Sequence, residues 1–178
     1  MNPLLYHFVR TRLRLTSRER ALKQAERLGE KYVVLATALS EAQGRLPVTV
    51  PPMLGVDEDM RGWSYFQLLE HNAIVGRRIT AVVRQLAEGK PVTELAPFNI
   101  KHDVMPGQAG PEQIDATRAM VAAHLETVRT LEDLRRTTTE LHSHFGPMTA
   151  HMWHVMFAFH LELHDKQAIK IAAEAKAS

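Results

Sequence analysis

The sequence predicts an all-α fold, an antiparallel four-helix bundle with one long crossover loop. Apolar residues recur at helical spacing in four segments, and proline- and glycine-rich stretches separate them. The one candidate strand is short, at residues 47–50. A chain of 178 residues suits a single domain, which we expect at 17–178, after a basic N-terminal arm at 1–16.

The first predicted helix covers residues 17–43. Thr16 and Glu19 form a capping-box pattern at its start, and Gly44 is a natural stop. Its inward positions are separated by alternating steps of four and three, the spacing of a heptad seam. They are Ala21, Ala25, Leu28, Tyr32, Leu35 and Leu39. This spacing predicts helix crossings of about 20° in a left-handed bundle.

The second predicted helix covers residues 64–88 and ends at Gly89 and Pro91. Its apolar stripe consists of Leu68, Val75, Ile79, Val82 and Leu86. At 100° per residue, His71 lies on one edge of this stripe. The connection that follows, 89–110, is long for a compact domain, so we expect it to have a function such as a lid over a site.

The third predicted helix covers residues 111–140, because Pro111 after Gly110 suits a first helical turn. Its inward residues are Ile114, Val121, Leu125, Val128 and Leu131, and His124 lies on the same face. The fourth helix begins after the cap Thr149 and runs to about residue 173. One face of it carries Trp153, Met156, Phe157, His160, His164, Gln167 and Ile171.

Three apolar residues of the fourth helix, Val155, Phe159 and Ile169, point away from its histidine face. An exposed apolar row marks a partner surface, so we expect a homodimer with two-fold symmetry. The alternative is that the fourth helix is sandwiched inside the bundle and these residues belong to the core.

Composition and charge exclude several classes of protein. A net charge of +2 is not that of a nucleic-acid binder, and the arginines between residues 10 and 20 are predicted to form a solvated face. No apolar run is long enough for a membrane span, and no signal-peptide pattern is present, so we expect a cytoplasmic protein with no membrane partner. The absence of cysteine excludes disulfides, a thiol nucleophile of the chain's own and thiolate metal sites.

The ten histidines are the main chemical signal. His160 and His164 are four residues apart on an inward face, where two imidazoles can reach one cation. The alternative is a hydrogen-bonded pair in the core. His71 favours the metal, because facing helices of a bundle project side chains into one site. Three imidazoles with open positions are typical of a catalytic metal site. The predicted ligands are therefore His71, His160 and His164.

The other histidines are not among the predicted ligands. His124 is a candidate fourth ligand, a supporting residue or a base, although a partly buried histidine is the favoured interpretation. His142, His144, His151 and His154 are predicted to be surface or turn residues at the mouth of the site. No catalytic residue and no general base can be assigned.

Several known sites can be excluded by inspection. No Glu precedes a His by three residues, so the di-iron pattern of ferritin-like bundles is absent, as are HExxH and the nucleotide-binding glycine loops. His102-Asp103 and His164-Asp165 do not make a helical phosphohydrolase. The first pair lies in the connection, and the second leaves too little chain for the later helices.

Three segments together resemble the DinB/YfiT-like superfamily. They are Leu69-Glu70-His71-Asn72, the turn His144-Phe145-Gly146-Pro147-Met148-Thr149 followed by Trp153, and His160-x-x-x-His164-x-x-Gln167. The resemblance covers about residues 60–171. It implies a DinB-like helical bundle that binds a divalent metal ion, most often zinc or nickel, through His71, His160 and His164. Some relatives have Glu at the position of His160, so metal preference can differ.

The resemblance also implies a range of activities. Relatives include thiol-dependent S-transferases, a thiol-dependent maleylpyruvate isomerase and many proteins assigned as metal-dependent hydrolases. The expectation is therefore a metal-dependent enzyme that activates water or a low-molecular-weight thiol toward a small-molecule substrate, with no organic cofactor. The alternative is a non-catalytic bundle protein that binds a metal or a small ligand. A shared fold does not decide between them.

Overall fold

The structure is a computed structural model that describes residues 3–95, 99 and 102–178. Six α-helices and one β-hairpin lie within these residues, which confirms the all-α class. The helices are α1 Pro3–Leu15, α2 Arg18–Thr37, α3 Glu41–Arg45, α4 Tyr65–Ala87, α5 Glu112–Thr130 and α6 Ala150–Ala177. The strands are β1 Thr139–His142 and β2 Gly146–Thr149. None of the helices in this described part is both long and apolar enough to cross a membrane.

Four of the helices form the bundle. α4 packs against α5 and α6, and α2 packs against the same two helices, so α2 and α4 lie diagonally opposite. The α4/α6 pair is antiparallel, because His71 lies beside His164 whereas Gly76, further along α4, lies beside Phe157. The α2/α5 pair is also antiparallel. These antiparallel contacts bring the middle of α6 against the first half of α4.

The α4/α5 pair runs parallel. Thr80 contacts His124, and one turn later Arg84 donates to Thr127. Parallel neighbours require a long connection, since the chain must return to the level where the first helix began. The predicted crossover at 89–110 provides that return, although its residues 96–98, 100 and 101 lie outside the described residues. α2 and α6 are parallel as well.

Most of the predicted basic arm forms the helix α1. Val9 and Leu13 are buried where α1 packs against α6. Arg10 donates to two carbonyl groups of the hairpin, and Arg12 pairs with Glu162 of α6. The prediction that these arginines form only a solvated face was therefore wrong for Arg10 and Arg12, which bind α1 to the bundle.

The first predicted helix is broken near its end. α2 stops at Thr37, and a separate short helix, α3, follows. The break arises at Ser40, whose hydroxyl accepts from the backbone N–H of Gln43 while the Gln43 side chain accepts from the backbone of Ser40. This capping box begins a new helix, so the prediction of one helix over 17–43 was wrong.

The prediction of helix up to residue 140 was also wrong, since α5 ends at Thr130 and a hairpin follows. The run Thr137-Thr138-Thr139 is β-branched, which disfavours helix and favours an extended strand. Thr139 pairs with Thr149 at the open end of the hairpin, and Gly146 adopts the positive φ of 68° that its turn requires. The candidate strand at 47–50 is instead an extended segment bonded to residues 61–63.

The expected apolar row on α6 is not exposed as a whole. Val155 and Phe159 are buried, and only Ile169 is exposed, at 43%. α6 is covered by α2, α4, α1 and β2, so helix-wheel direction does not separate core from surface on it. The alternative of a sandwiched helix is thus correct for Val155 and Phe159, and the homodimer prediction loses the observation on which it rested.

Close packing of α4 requires glycine at position 76. A Cβ atom there would overlap the sulfur of Met120 on α5 and lie 3.0 Å from the ring of Phe157 on α6. We expect Gly76→Ala to lower the free energy of unfolding by about 1–3 kcal/mol, the usual effect of overpacking. Urea denaturation measures this. Gly62→Ala is the control, because a Cβ atom there meets nothing within 4 Å. Equal stability of the two variants would contradict the prediction.

Candidate metal centre

The three predicted ligands lie together between α4 and α6. His160 and His164 are one turn apart on α6, and His71 faces them from α4. The ring centroids are 5.2 Å apart for His71 and His160, 4.9 Å for His71 and His164, and 4.8 Å for His160 and His164. One ring nitrogen from each residue lies within 4.8 Å of the other two. The fold thus brings His71 of α4 next to His160 and His164 of α6, about ninety residues later in the sequence.

Hydrogen bonding determines the tautomer of His71. Its Nδ1 lies 2.8 Å from the carbonyl oxygen of Val104, which can only accept, so Nδ1 carries the proton. Nε2 therefore has a free lone pair, and it is buried with no hydrogen-bond partner among the residues the structure describes. Because Val104 belongs to the crossover, the crossover contacts the centre directly. Trp63 packs on the ring at a centroid distance of 4.9 Å.

A second chain of hydrogen bonds orients His164. Its Nδ1–H donates to Oε1 of Gln167 over 2.8 Å, and the amide nitrogen of Gln167 donates to the carbonyl of Met60 over 2.8 Å. The amide orientation is thereby determined, and Nε2 of His164 is left as the free lone pair. Nε2 of His160 is also buried, with no partner within the described part of the chain.

Burial keeps the three imidazoles neutral. It is the main cause that lowers the pKa of His71, of His160 and of His164, the last to about 4. Charge repulsion from a neighbouring imidazole lowers the pKa of His160 and of His164 further. Near pH 7 each ring is therefore a neutral base with a lone pair, which is the form that binds a metal ion.

These observations fit a cation at the centre. A buried polar atom without a partner costs about 1–3 kcal/mol, and two such nitrogens, on His71 and His160, belong to this cluster. With nitrogens at most 4.8 Å apart, each has to move inward by less than about 1 Å to reach Zn–N distances of about 2.0–2.1 Å. The three histidines could hold a metal ion with coordination positions left open.

Three further side chains lie at the edge of the centre. His142 of β1 is close enough for its charge to lower the pKa of His160, and its ring lies tilted against Trp153 at a centroid distance of 5.2 Å. Burial lowers the pKa of His142 itself to about 4. The carboxylate of Asp59 raises the pKa of His71. His144 is an exposed turn residue, as predicted, whereas His142 is the partly buried last residue of β1.

The structure places His124 away from the three predicted ligands, and the expected outward positions of His151 and His154 are wrong. His124 and His154 are 0% exposed and His151 is 3% exposed. His124 contacts Thr80, which lies nine residues after His71 and so about 13.5 Å further along α4. His151 and His154 were missed because α6 is buried on nearly all sides, and no sequence signal distinguishes them from surface histidines.

His124 and His154 belong to one buried hydrogen-bonded chain. Nδ1 of His124 lies 2.9 Å from the Thr80 hydroxyl, and its Nε2 lies 3.0 Å from Nδ1 of His154. Nε2 of His154 donates to the carbonyl of Arg18 over 3.1 Å. That bond requires the proton of His154 on Nε2, so the proton between the rings belongs to His124. The chain links α2, α4, α5 and α6 through neutral rings.

Gln167 should tune the affinity of the centre, because it holds the ring of His164. We expect Gln167→Leu to weaken metal binding 10–100-fold, the usual effect of losing a residue that orients a ligand. Gln167→Glu retains an acceptor for Nδ1–H and should keep more of the affinity. Competition titration against a chromophoric chelator measures both. An unchanged affinity in Gln167→Leu would show that His164 does not need this partner.

The comparisons with known proteins agree with the resemblance noted from the sequence. The family model described as the DinB superfamily matches residues 11–168, nearly the whole chain. No curated protein and no solved structure gives a significant match. The matched span includes α2, α4, α5, the hairpin and the histidine-bearing part of α6. The chain therefore belongs to the DinB superfamily.

Proposed function

We propose that His71, His160 and His164 bind one divalent metal ion and that this protein is a metal-dependent enzyme. One observation carries the proposal: three neutral imidazoles converge, and two of their Nε2 atoms are buried with no partner among the described residues. Imidazole nitrogen suits zinc and nickel, and these are the ions we propose. Three protein ligands leave positions for a substrate or nucleophile.

The residues around the centre have separate tasks in this proposal. Val104 and Gln167 hold the rings of His71 and His164 so that their lone pairs point to one place. Trp63 and Val104 are buried and exclude water on the α4 side. A bound metal ion would supply Lewis acidity, which lowers the pKa of a nucleophile. Asp59 and His142 are the titratable side chains at the edge that are available for proton transfer.

The nucleophile in this proposal is water or a low-molecular-weight thiol. The chain has no cysteine, so a thiol must come from solution. Attack by water on a small-molecule electrophile would make the protein a hydrolase, and attack by a thiol would make it an S-transferase. The ring of Trp153 beside His142 provides an aromatic surface for such a substrate.

Turnover assays of the reconstituted protein test the proposal. Protein loaded with zinc or with nickel is incubated with p-nitrophenyl acetate in water, and with 1-chloro-2,4-dinitrobenzene plus glutathione. We expect metal-dependent turnover in one assay and a loss of at least about 100-fold in His160→Ala, because a ligand is removed. His7→Ala, which changes an exposed histidine of α1, is the matched control. Equal rates in wild type and His160→Ala would contradict the proposal of a metal-dependent enzyme. Metal binding without turnover would favour the non-catalytic binding protein.

A further inference from the structure

A second feature of the molecule is a cavity of about 470 Å³ between the end of α1, the segment before β1 and the first turn of α6. This volume is in the range of small-molecule sites, about 300–1,000 Å³. Its polar lining consists of Thr11, Arg14, Arg135, Thr149 and His151. No acidic residue lines it within the described part of the chain. The cavity is therefore basic.

The cavity is separate from the candidate metal centre. His151 lines the cavity, and His160 belongs to the centre, nine residues further along α6. Nine residues make two and a half helical turns, so the two side chains leave α6 on opposite faces, about 13.5 Å apart along its axis. A ligand in the cavity would not contact the three histidines.

The two arginines of the cavity have unused donors. Among the described residues, neither Arg14 nor Arg135 forms an ion pair. Asp133, two residues before Arg135, accepts instead from the Arg135 backbone N–H over 2.7 Å. A guanidinium presents forked N–H donors that match the two oxygens of a carboxylate or phosphate. The N-terminus of α6 at Thr149 adds the positive end of a helix dipole to the same place.

His151 is a buried residue that lies between the cavity and the end of α1. It is 3% exposed, and the backbone of Thr16 and Arg14 at the end of α1 is close enough to its ring to raise its pKa, against the larger lowering by burial. Its Nε2 lies 3.5 Å from Nη2 of Arg135. Burial and the charge of Arg135 lower the pKa of His151, so the ring is neutral and Nε2 faces the guanidinium as an acceptor. Arg135 thus lies next to His151 at the cavity.

We propose that this cavity binds a small oxyanion, a carboxylate or a phosphate, between the guanidinium groups of Arg14 and Arg135. The first turn of α6 and the hydroxyl of Thr11 complete the site. This binding does not depend on the function proposed for the metal centre, because the two sites use different faces of α6.

Titrations of the full-length, metal-loaded protein test the proposal. Inorganic phosphate and succinate are titrated separately at constant ionic strength, with sodium chloride as the reference. Calorimetry gives the affinity, and the imidazole NMR signals of His151 report binding locally. We expect saturable binding of at least one oxyanion. Arg14→Gln and Arg135→Gln should each weaken it about tenfold or more, since each removes a charge-assisted bond. Both arginines are exposed, so the variants should fold.

Two controls make the result decisive. Arg20→Gln removes an exposed arginine of α2 outside the cavity and should leave the affinity unchanged. His164→Ala changes the metal centre and should bind the oxyanion as wild type does. Responses to phosphate and succinate no larger than to chloride would overturn the proposal. An equal loss in Arg20→Gln would show nonspecific charge attraction, and a loss in His164→Ala would place the anion at the metal centre; both outcomes also overturn it.

Discussion

Replacing His71 by alanine should abolish stoichiometric metal binding, although His71 lies about ninety residues from the other two proposed ligands. The variant removes one of three lone pairs that converge within 4.8 Å, so the affinity should fall by more than the 10–100-fold expected for a supporting residue. Metal content after dialysis, measured by mass spectrometry, shows the loss. His160→Ala and His164→Ala should behave in the same way.

Stability should change together with metal content. A ligand that binds only the folded state raises the free energy of unfolding by about 4 kcal/mol at a thousandfold excess over its Kd. Metal should therefore raise the Tm of wild type and not that of His71→Ala. The apo protein should still fold, since its core is buried without metal. His144→Ala, an exposed histidine, is the control. If His71→Ala retains full stoichiometric metal with unchanged affinity, the three-histidine site is wrong.

Acid should unfold the protein, because its buried histidines resist protonation in the folded state. Burial is the main cause that lowers the pKa of His154 to about 4 and the pKa of His124 well below its usual value. An unfolded histidine titrates near 6.5. Protonation of the unfolded chain therefore lowers the free energy of unfolding progressively as pH falls from about 6.5 to about 4, and no further below that. For His154 alone this loss amounts to about 3 kcal/mol.

Urea unfolding of the metal-free protein at pH values between 7 and 4 measures this dependence. His154→Gln lacks the titrating ring, so its free energy of unfolding should vary less with pH, even if the variant is less stable at pH 7. His7→Gln, the substitution of an exposed histidine of α1, is the control and should retain the wild-type dependence. If the free energy of unfolding of His154→Gln varied with pH as steeply as that of wild type, the pH dependence would not come from the buried ring of His154.

Helix positions could be predicted where local signals agreed. Ser64 caps α4 through a capping box with Gln67, and Thr149 caps α6, so both helices begin where the sequence indicated. The errors occurred where a competing local signal was overlooked. Ser40 begins a new helix within the first predicted helix. The threonines before Glu140 favour an extended strand where the sequence had predicted the end of the third helix.

The residue types and local spacing of the candidate site could be predicted from the sequence. The arrangement of α4 against α6 that brings these residues together could not. His160 and His164 are one turn apart on any helix, so their proximity follows from the sequence alone. The pairing with His71 requires α4 and α6 to be antiparallel neighbours at the right register. The partners of these rings, Val104 and Met60, supply backbone carbonyls, which have no sequence signature.

The sequence by itself determined the helical class, the residues able to ligate a metal and the absence of any thiol in the chain, since these follow from composition and local periodicity. Only the tertiary structure decided which helices are neighbours, that His71 meets His160 and His164, and that His124 pairs with His154. It also decided burial on α6, where the covering elements come from distant parts of the chain. The physical reason is that periodicity describes one helix at a time. Packing depends on the direction and depth at which separate helices meet.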